Sequence, residues 1–299
     1  MWMICTLITF LCWGIADLFY KIGNKGKGDY NHLITGIMVG VVMGIHATIF
    51  LLIKHTSIHI LDILKYLPIS ACYISSMIIG YKGLKYLELS ISSPIQNTSG
   101  VITALLLLII FKEQYSPIFY IAVILIFIGI FFLSLNEIKE KKEDRKKYKK
   151  ENRLSKVLSL TILFPLVYCL LDGAGTFLDG VFLDKMSIVN EDVALIAYEY
   201  TFLLYAIFTY IYLKIKKQRI IISKEKPKLL AAIFETAGQF CYVYAMSGNA
   251  TIAAPIVGSY CVLSMLLSRV FLKEVLTKKE YILISLVIIG IIILAILDI

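Results

Sequence analysis

One stretch of this chain is written twice, and the second copy keeps the spacing of the first. Ser93-Pro94-Ile95, a long apolar run and Phe111-Lys112-Glu113 recur as Ala254-Pro255-Ile256, an apolar run and Leu272-Lys273-Glu274. A constant separation of 161 residues relates Pro94 to Pro255, Lys112 to Lys273, Tyr120 to Tyr281 and Gly129 to Gly290, without a gap. Each copy is too apolar and too long for a water-soluble element, whereas a run of roughly 17–25 apolar residues is what a bilayer-spanning helix needs. Two related halves of this kind read as a membrane protein and point toward transport.

The composition supports that reading. Apolar residues make up 59% and charged residues only 17%, with a mean hydropathy of +0.82, where a soluble domain carries about a quarter charged residues. The net charge of +9 sits in short segments between apolar runs, so it speaks for orientation in a membrane rather than for nucleic acid. Cys5, Cys12, Cys72, Cys169, Cys241 and Cys261 all lie in apolar runs without CxxC or metal-ligand spacing, as small buried side chains do. No metal or cofactor is expected.

Hydropathy divides the chain into about ten spans: 1–20, 32–53, 63–87, 90–111 and 117–135, then 158–183, 193–213, 229–247, 252–272 and 281–297. The first has its positive charge after the apolar run, the reverse of a cleaved signal, and reads as a retained anchor. Residues 1–135 form one five-helix repeat, 136–156 a charged cytoplasmic linker without apolar period, and 157–299 the second repeat. Five helices per repeat, an odd number, gives the halves opposite orientations. The fold class is therefore all-α integral membrane, two inverted-topology repeats with a binding site at their interface near the midplane. Only Lys54, Lys65, Lys112 and Lys185 fall outside the odd-numbered loops. The positive-inside rule then makes the odd loops cytoplasmic and leaves both termini outside the cell membrane.

Acids inside spans are costly and normally face a cavity with a partner. Asp17, Asp172, Asp179, Glu199 and Glu235 are such acids, and Arg269 is the main basic candidate to pair with them. Asp17 and Asp179 fall near span ends, where solvation is the alternative to lining the pathway. Trp13, Asp17 and Tyr20 share a helical face, as do Tyr168, Asp172 and Asp179, and as do Glu235, Gln239 and Tyr242. Trp13 and Asp17 match Tyr168 and Asp172 across the repeat. Gln96 and Asn97 follow Pro94, which frees a backbone carbonyl, and polar groups at that depth face protein or a water-filled cavity. Trp13, Asp17, Gln96, Asn97, Tyr168, Asp172, Glu199, Glu235, Gln239 and Tyr242, with Tyr73, Tyr81, Tyr198 and Tyr260, make up the candidate substrate site. Carboxylates beside aromatic faces receive an organic cation or the amino end of a zwitterion. Glu199, Glu235 and the mid-span His46 are the candidates for proton coupling, although a hydrogen-bonded structural histidine is the plainer reading of His46. Gly36, Gly40 and Gly44 make a stripe for close helix packing.

The doubled Pro-Ile starts and Lys-Glu ends, with Trp13-Gly14, Gly129 and Gly290, resemble the EamA-like ten-helix branch of the drug/metabolite transporter superfamily. The resemblance covers the chain apart from 136–156. It implies a solute carrier with a central cavity, alternating access, and fifth and tenth helices at the periphery. It does not name a substrate, because the family handles amino acids, nucleotide sugars, drugs and other metabolites. Many members are described with cytoplasmic termini, opposite to the orientation that this chain's charge implies.

No HExxH, GxSxG or P-loop spacing occurs, which argues against an enzyme and a primary pump. The expected function is secondary transport of a small polar, amine-bearing metabolite such as an amino acid or organic cation. The alternative is a broad drug exporter. Expected partners are the small-molecule substrate and the lipid bilayer, with no nucleic acid. Ten helices can enclose a cavity in a monomer, and a homodimer is equally compatible.

Overall fold

The computed structural model describes residues 1–25, 28–147, 161 and 163–297, with side chains for all of these except 136–147. Helices α1 (Trp2–Asn24), α2 (Asn31–Lys54), α3 (Ile60–Gly83), α4 (Leu89–Phe111) and α5 (Pro117–Lys147) form the first half. The second half holds α6 (Leu163–Asp179), α7 (Glu191–Ile215), α8 (Lys226–Gly258), α9 (Tyr260–Leu267) and α10 (Lys278–Leu297). Single π-helical turns extend α6 through Gly180–Lys185 and α9 through Ser268–Leu272. Helix α5 runs on past residue 135 into the segment expected as linker, and residues 148–156 of that segment lie outside the described residues.

Nine helical stretches among the described residues are long and apolar enough to cross a membrane, and one of them, Lys226–Leu272, is 47 residues long. At 1.5 Å per residue it would extend about 70 Å, more than twice a bilayer's apolar core. It does not run straight. Asn249 is extended (φ −164, ψ 90) and breaks α8, and its side-chain oxygen accepts the Ile252 amide at 3.1 Å to start the next segment. Helix α1 records the reversal. Gly23 lies against Lys228 and the end of α1 at Trp2 against Gly248, whereas Gly14, between them, faces Leu263. The chain thus passes α1 once before the kink and returns along it afterwards, which restores ten crossings.

The packing obeys the repeat. Helix α1 packs on α8 as α3 packs on α6, while α2 packs on α7, α4 on the segment from Asn249 onward, and α5 on α10. Exchanging the halves maps this set of pairs onto itself. The same holds atom by atom in the α5–α10 pair. A Cβ on Gly129 would meet Val287 Cγ2 at 2.3 Å, and one on Gly290 would meet Ile126 Cγ1 at 2.7 Å. Ile126 and Val287 are themselves 161 residues apart, so both contacts are one contact seen from either side of a pseudo-twofold axis. The glycine stripe of α2 receives α7 in the same manner, with Gly40 against the Phe202 carbonyl and Gly44 against Leu203.

The doubled Lys-Glu signature now has a structural meaning. Lys112 and Lys273 take left-handed backbone conformations (φ 52 and 59) that end their helices and turn the chain. The glutamate that follows reaches into the other half. Glu274 accepts the amides of Leu89 at 3.2 Å and Ser90 at 3.0 Å, the first residues of α4. Its counterpart Glu113 accepts the hydroxyl of Thr251 at 2.6 Å, the repeat equivalent of Ser90. Each half therefore places a carboxylate at the start of the other's central helix, near the positive end of the helix dipole, and Glu274 caps α4 directly through its amides.

Candidate functional site

Between the halves lies a cavity enclosing about 770 Å³ of space free of protein atoms, its mouth included. Helix α1 presents Trp13, Asp17 and Tyr20 to it, α3 presents Tyr73, Met77 and Tyr81, and Leu84 follows at the end of α3. From α4 come Gln96, Asn97 and Ser99, and from α6 Tyr168, Asp172 and Thr176. Helix α7 adds Tyr198, α8 adds Glu235, Gln239 and Tyr242, and α9 adds Tyr260. Backbone around Gly100 and Gly258 approaches closely at one wall, with the two Cα atoms near enough that a Cβ on Gly100 would stand 3.1 Å from the Gly258 Cα. Every residue expected at the substrate site lines this cavity except Glu199.

Three carboxyl groups face the space, and each is held by hydroxyls. Asp17 Oδ2 accepts Ser93 at 2.6 Å and Ser264 at 2.9 Å, from α4 and α9. Asp172 Oδ2 accepts Ser99 at 2.7 Å. Glu235 Oε2 accepts the Tyr20 hydroxyl at 3.1 Å. Among the described residues no lysine, arginine or histidine lines the cavity. The expected partner, Arg269, lies at the surface and reaches only the Glu274 carbonyl, at 3.5 Å. The acids are steadied by neutral donors from neighbouring helices, which hydrogen-bond them without cancelling their charge.

Neither Asp17 nor Asp179 is solvated at a span end, the alternative that the sequence left open. Asp17 is 7% and Asp179 0% exposed. Asp179 sits behind the wall, where it accepts the hydroxyls of Tyr66 and, at 2.9 Å, Tyr73. The Tyr73 oxygen is also 2.7 Å from that of Tyr242, so a chain of hydroxyls joins Asp179 to the cavity. Aromatic rings crowd the remainder. Trp13 and Tyr242 stand 5.0 Å apart, Trp13 and Tyr260 5.9 Å, and Tyr20 and Tyr81 4.4 Å.

Glu199 is set apart by helical phase. Adjacent helix positions point about 100° apart, so α7 turns Tyr198 inward and Glu199 toward α2. There its carboxylate is fully buried and meets His46 Nδ1 at 2.8 and 2.9 Å. His46 does not line the cavity either, and its ring packs near Phe50 and Phe240.

Sequence reasoning left out the hydroxyls that orient the acids, Ser99 and Ser264 above all, because serine carries no hydropathy signal and its partner lies on another helix. It also placed Lys21 in a loop. The structure buries it, with its ammonium donating to the carbonyls of Leu84, at 2.9 Å, and Leu87, which ties α1 to the turn between α3 and α4. Tyr81 also borders a second hollow, whose lining includes His32, Lys82 and the Lys85–Asp29 pair at 3.0 Å.

Comparison with known proteins gives a consistent result. Residues 1–135 and 159–296 match the model of the EamA-like transporter family. No curated protein matches the sequence. Among the solved chains that match is one described only as a crystal structure of a protein. It superposes with a TM-score of 0.67 at 11% identity, over 98% of this chain and 97% of that one. At that identity the likeness speaks for the fold alone.

Proposed function

The chain belongs to the EamA-like transporter family, and from that membership we propose that it carries a small, polar, amine-bearing metabolite across the cell membrane by alternating access. The observation that supports this substrate class is the pairing of three carboxyls with an aromatic lining and no lining cation. A cationic nitrogen gains from both: charge attraction to the carboxylates and attraction to the negative faces of the rings. In this reading the repeats 1–135 and 157–299 rock against each other around the cavity. The segment 136–156 joins them on the cytoplasmic side, and the termini face outward. Glu235 binds substrate and exchanges a proton with it, while the His46–Glu199 pair carries a proton outside the substrate path.

The test is thermal stability of the purified protein against amines, amino acids, sugars, nucleotides and organic anions, with Glu235→Gln beside the wild type. A ligand that binds the folded state raises its melting temperature. Amines and amino acids are expected to do so, with the shift lost in Glu235→Gln. Shifts confined to sugars, nucleotides or anions would refute the substrate class. A broad drug exporter is the second reading, favoured by the aromatic share of the lining. It predicts binding of structurally unrelated drugs that survives Gln239→Ala and Asn97→Ala.

A further inference from the structure

The cavity offers two kinds of unmet valence, and they are of opposite sense. The first is negative. Asp17, Asp172 and Glu235 are held by neutral hydroxyls, Ser93 and Ser264 on Asp17, Ser99 on Asp172 and Tyr20 on Glu235. All three carboxyls line the cavity, and no lysine, arginine or histidine among the described residues lines it to balance them. A single ammonium balances one such group and leaves the rest uncompensated inside a membrane protein, where an unpaired charge is strongly disfavoured.

The second is a pair of donors. Gln96 and Gln239 are 4% and 3% exposed, line the cavity from α4 and α8, and have no hydrogen-bond partner for their Nε2 groups. Buried amide nitrogens normally find an acceptor. Asn97 does so within its own helix, giving its amide to the Ser93 carbonyl at 2.9 Å. Gln96 and Gln239 have no such local acceptor, so the group they await belongs to what enters.

We infer that the cavity is built for a diamino acid, whose two cationic nitrogens engage Asp172 and Glu235 and whose carboxylate takes the Nε2 donors of Gln96 and Gln239. This rests on the proposed transport of an amine-bearing metabolite and narrows it. A neutral amino acid satisfies the amides but leaves one more acid without counter-charge. A plain diamine satisfies the acids but leaves both amides unpaired. Asp17 is the third acid, already bound by two hydroxyls from two helices, and it holds α1 against α4 and α9. Trp13 and Tyr242 flank the space where the aliphatic chain between the two amines lies.

Three probes test this on the full-length protein, by thermal shift and by competition for uptake of radiolabelled free lysine into proteoliposomes. They are free lysine, norleucine, which lacks the second amine, and cadaverine, which lacks the carboxylate. Lysine is expected to bind at least about tenfold more tightly than either truncated analogue, the effect of losing one good contact. Gln239→Glu is expected to weaken lysine by at least about tenfold, through repulsion of its carboxylate, while cadaverine binding is kept or improved. The ligand series needs only the wild type, so a misfolded variant does not remove the test. Norleucine or cadaverine binding as tightly as lysine overturns the diamino-acid assignment and leaves amine transport standing. A response to sugars, nucleotides or anions alone, with none to any amine, overturns both.

Discussion

Glu113 and Glu274 occupy one register position in two copies, yet they are held differently. Glu274 lies on two backbone amides. Glu113 takes a hydroxyl from Thr251 and the ammonium of Lys185, which also pairs with Asp184 at 2.8 Å. Burial by itself raises the Glu113 carboxyl, but the hydrogen bonds from Lys185 and Thr251 outweigh it and hold it below its ordinary value of 4.5. A carboxyl held low in the fold contributes stability above its unfolded pKa, and that stability is lost as pH falls through the folded value. Glu113→Gln is therefore expected to melt a few degrees lower than wild type at pH 7, an effect on the order of 1 kcal/mol for a partly exposed pair. The difference should narrow as pH is lowered below 4.5 through the folded value, and a series of melts from pH 7 into the acid range checks it. A gap that stays constant throughout the acid range in which the protein remains folded would show that the charge is not what Glu113 contributes. This role was not legible beforehand. The doubled Lys-Glu could be seen in the sequence, but its function is to reach the other half, and no local pattern records that. Helical phase explains the other gap: Tyr198 and Glu199 read as a pair in one dimension and separate onto two faces once wound into α7.

At the scale of the elements, spans were the most legible feature, since hydropathy and the 161-residue spacing report them independently. The kink was less so. The boundary near Ser247 and the restart near Ile252 were visible, but a single extended residue, Asn249, does the work of a loop. A close element contact is α5 on α10, where Gly129 and Gly290 admit Val287 and Ile126. Gly290→Leu forces the branched side chain against Ile126 Cγ1 and the Ala122 carbonyl. It is expected to cost about 1–3 kcal/mol, as overpacking does, read as a lower melting temperature. Neither α5 nor α10 contributes a lining residue among those described, so ligand affinity of the folded fraction should stay within about twofold. A loss of affinity as large as that of Glu235→Gln would show that the outer pair shapes the cavity.

For the whole molecule, the inverted repeat makes orientation a measurable quantity. Ser187 is exposed between α6 and α7, and Gln218 between α7 and α8. With the termini outside, a cysteine at Ser187 reacts with a membrane-impermeant maleimide on intact cells, and one at Gln218 reacts only after permeabilisation. The native thiols are half-buried or buried, which keeps the background low. The opposite pattern would reverse the orientation drawn from the lysines and arginines while leaving the fold untouched. The site was legible to the extent that acids and aromatics repeat at helical spacing; its orphan amides emerged only once helices from both halves closed around them. The Glu274 cap carries a further consequence, and it concerns the order of synthesis. The amide of Leu89 and the carboxylate of Glu274 are separated by 185 residues of chain. At about 5–20 residues per second, the ribosome delivers the cap roughly 10–40 s after α4 itself. Until then the innermost helix of the first-made half rests in the bilayer with its leading amides unclaimed. The nascent protein is thus left waiting on its own last quarter, and a stalled or truncated message yields a half that cannot close its centre.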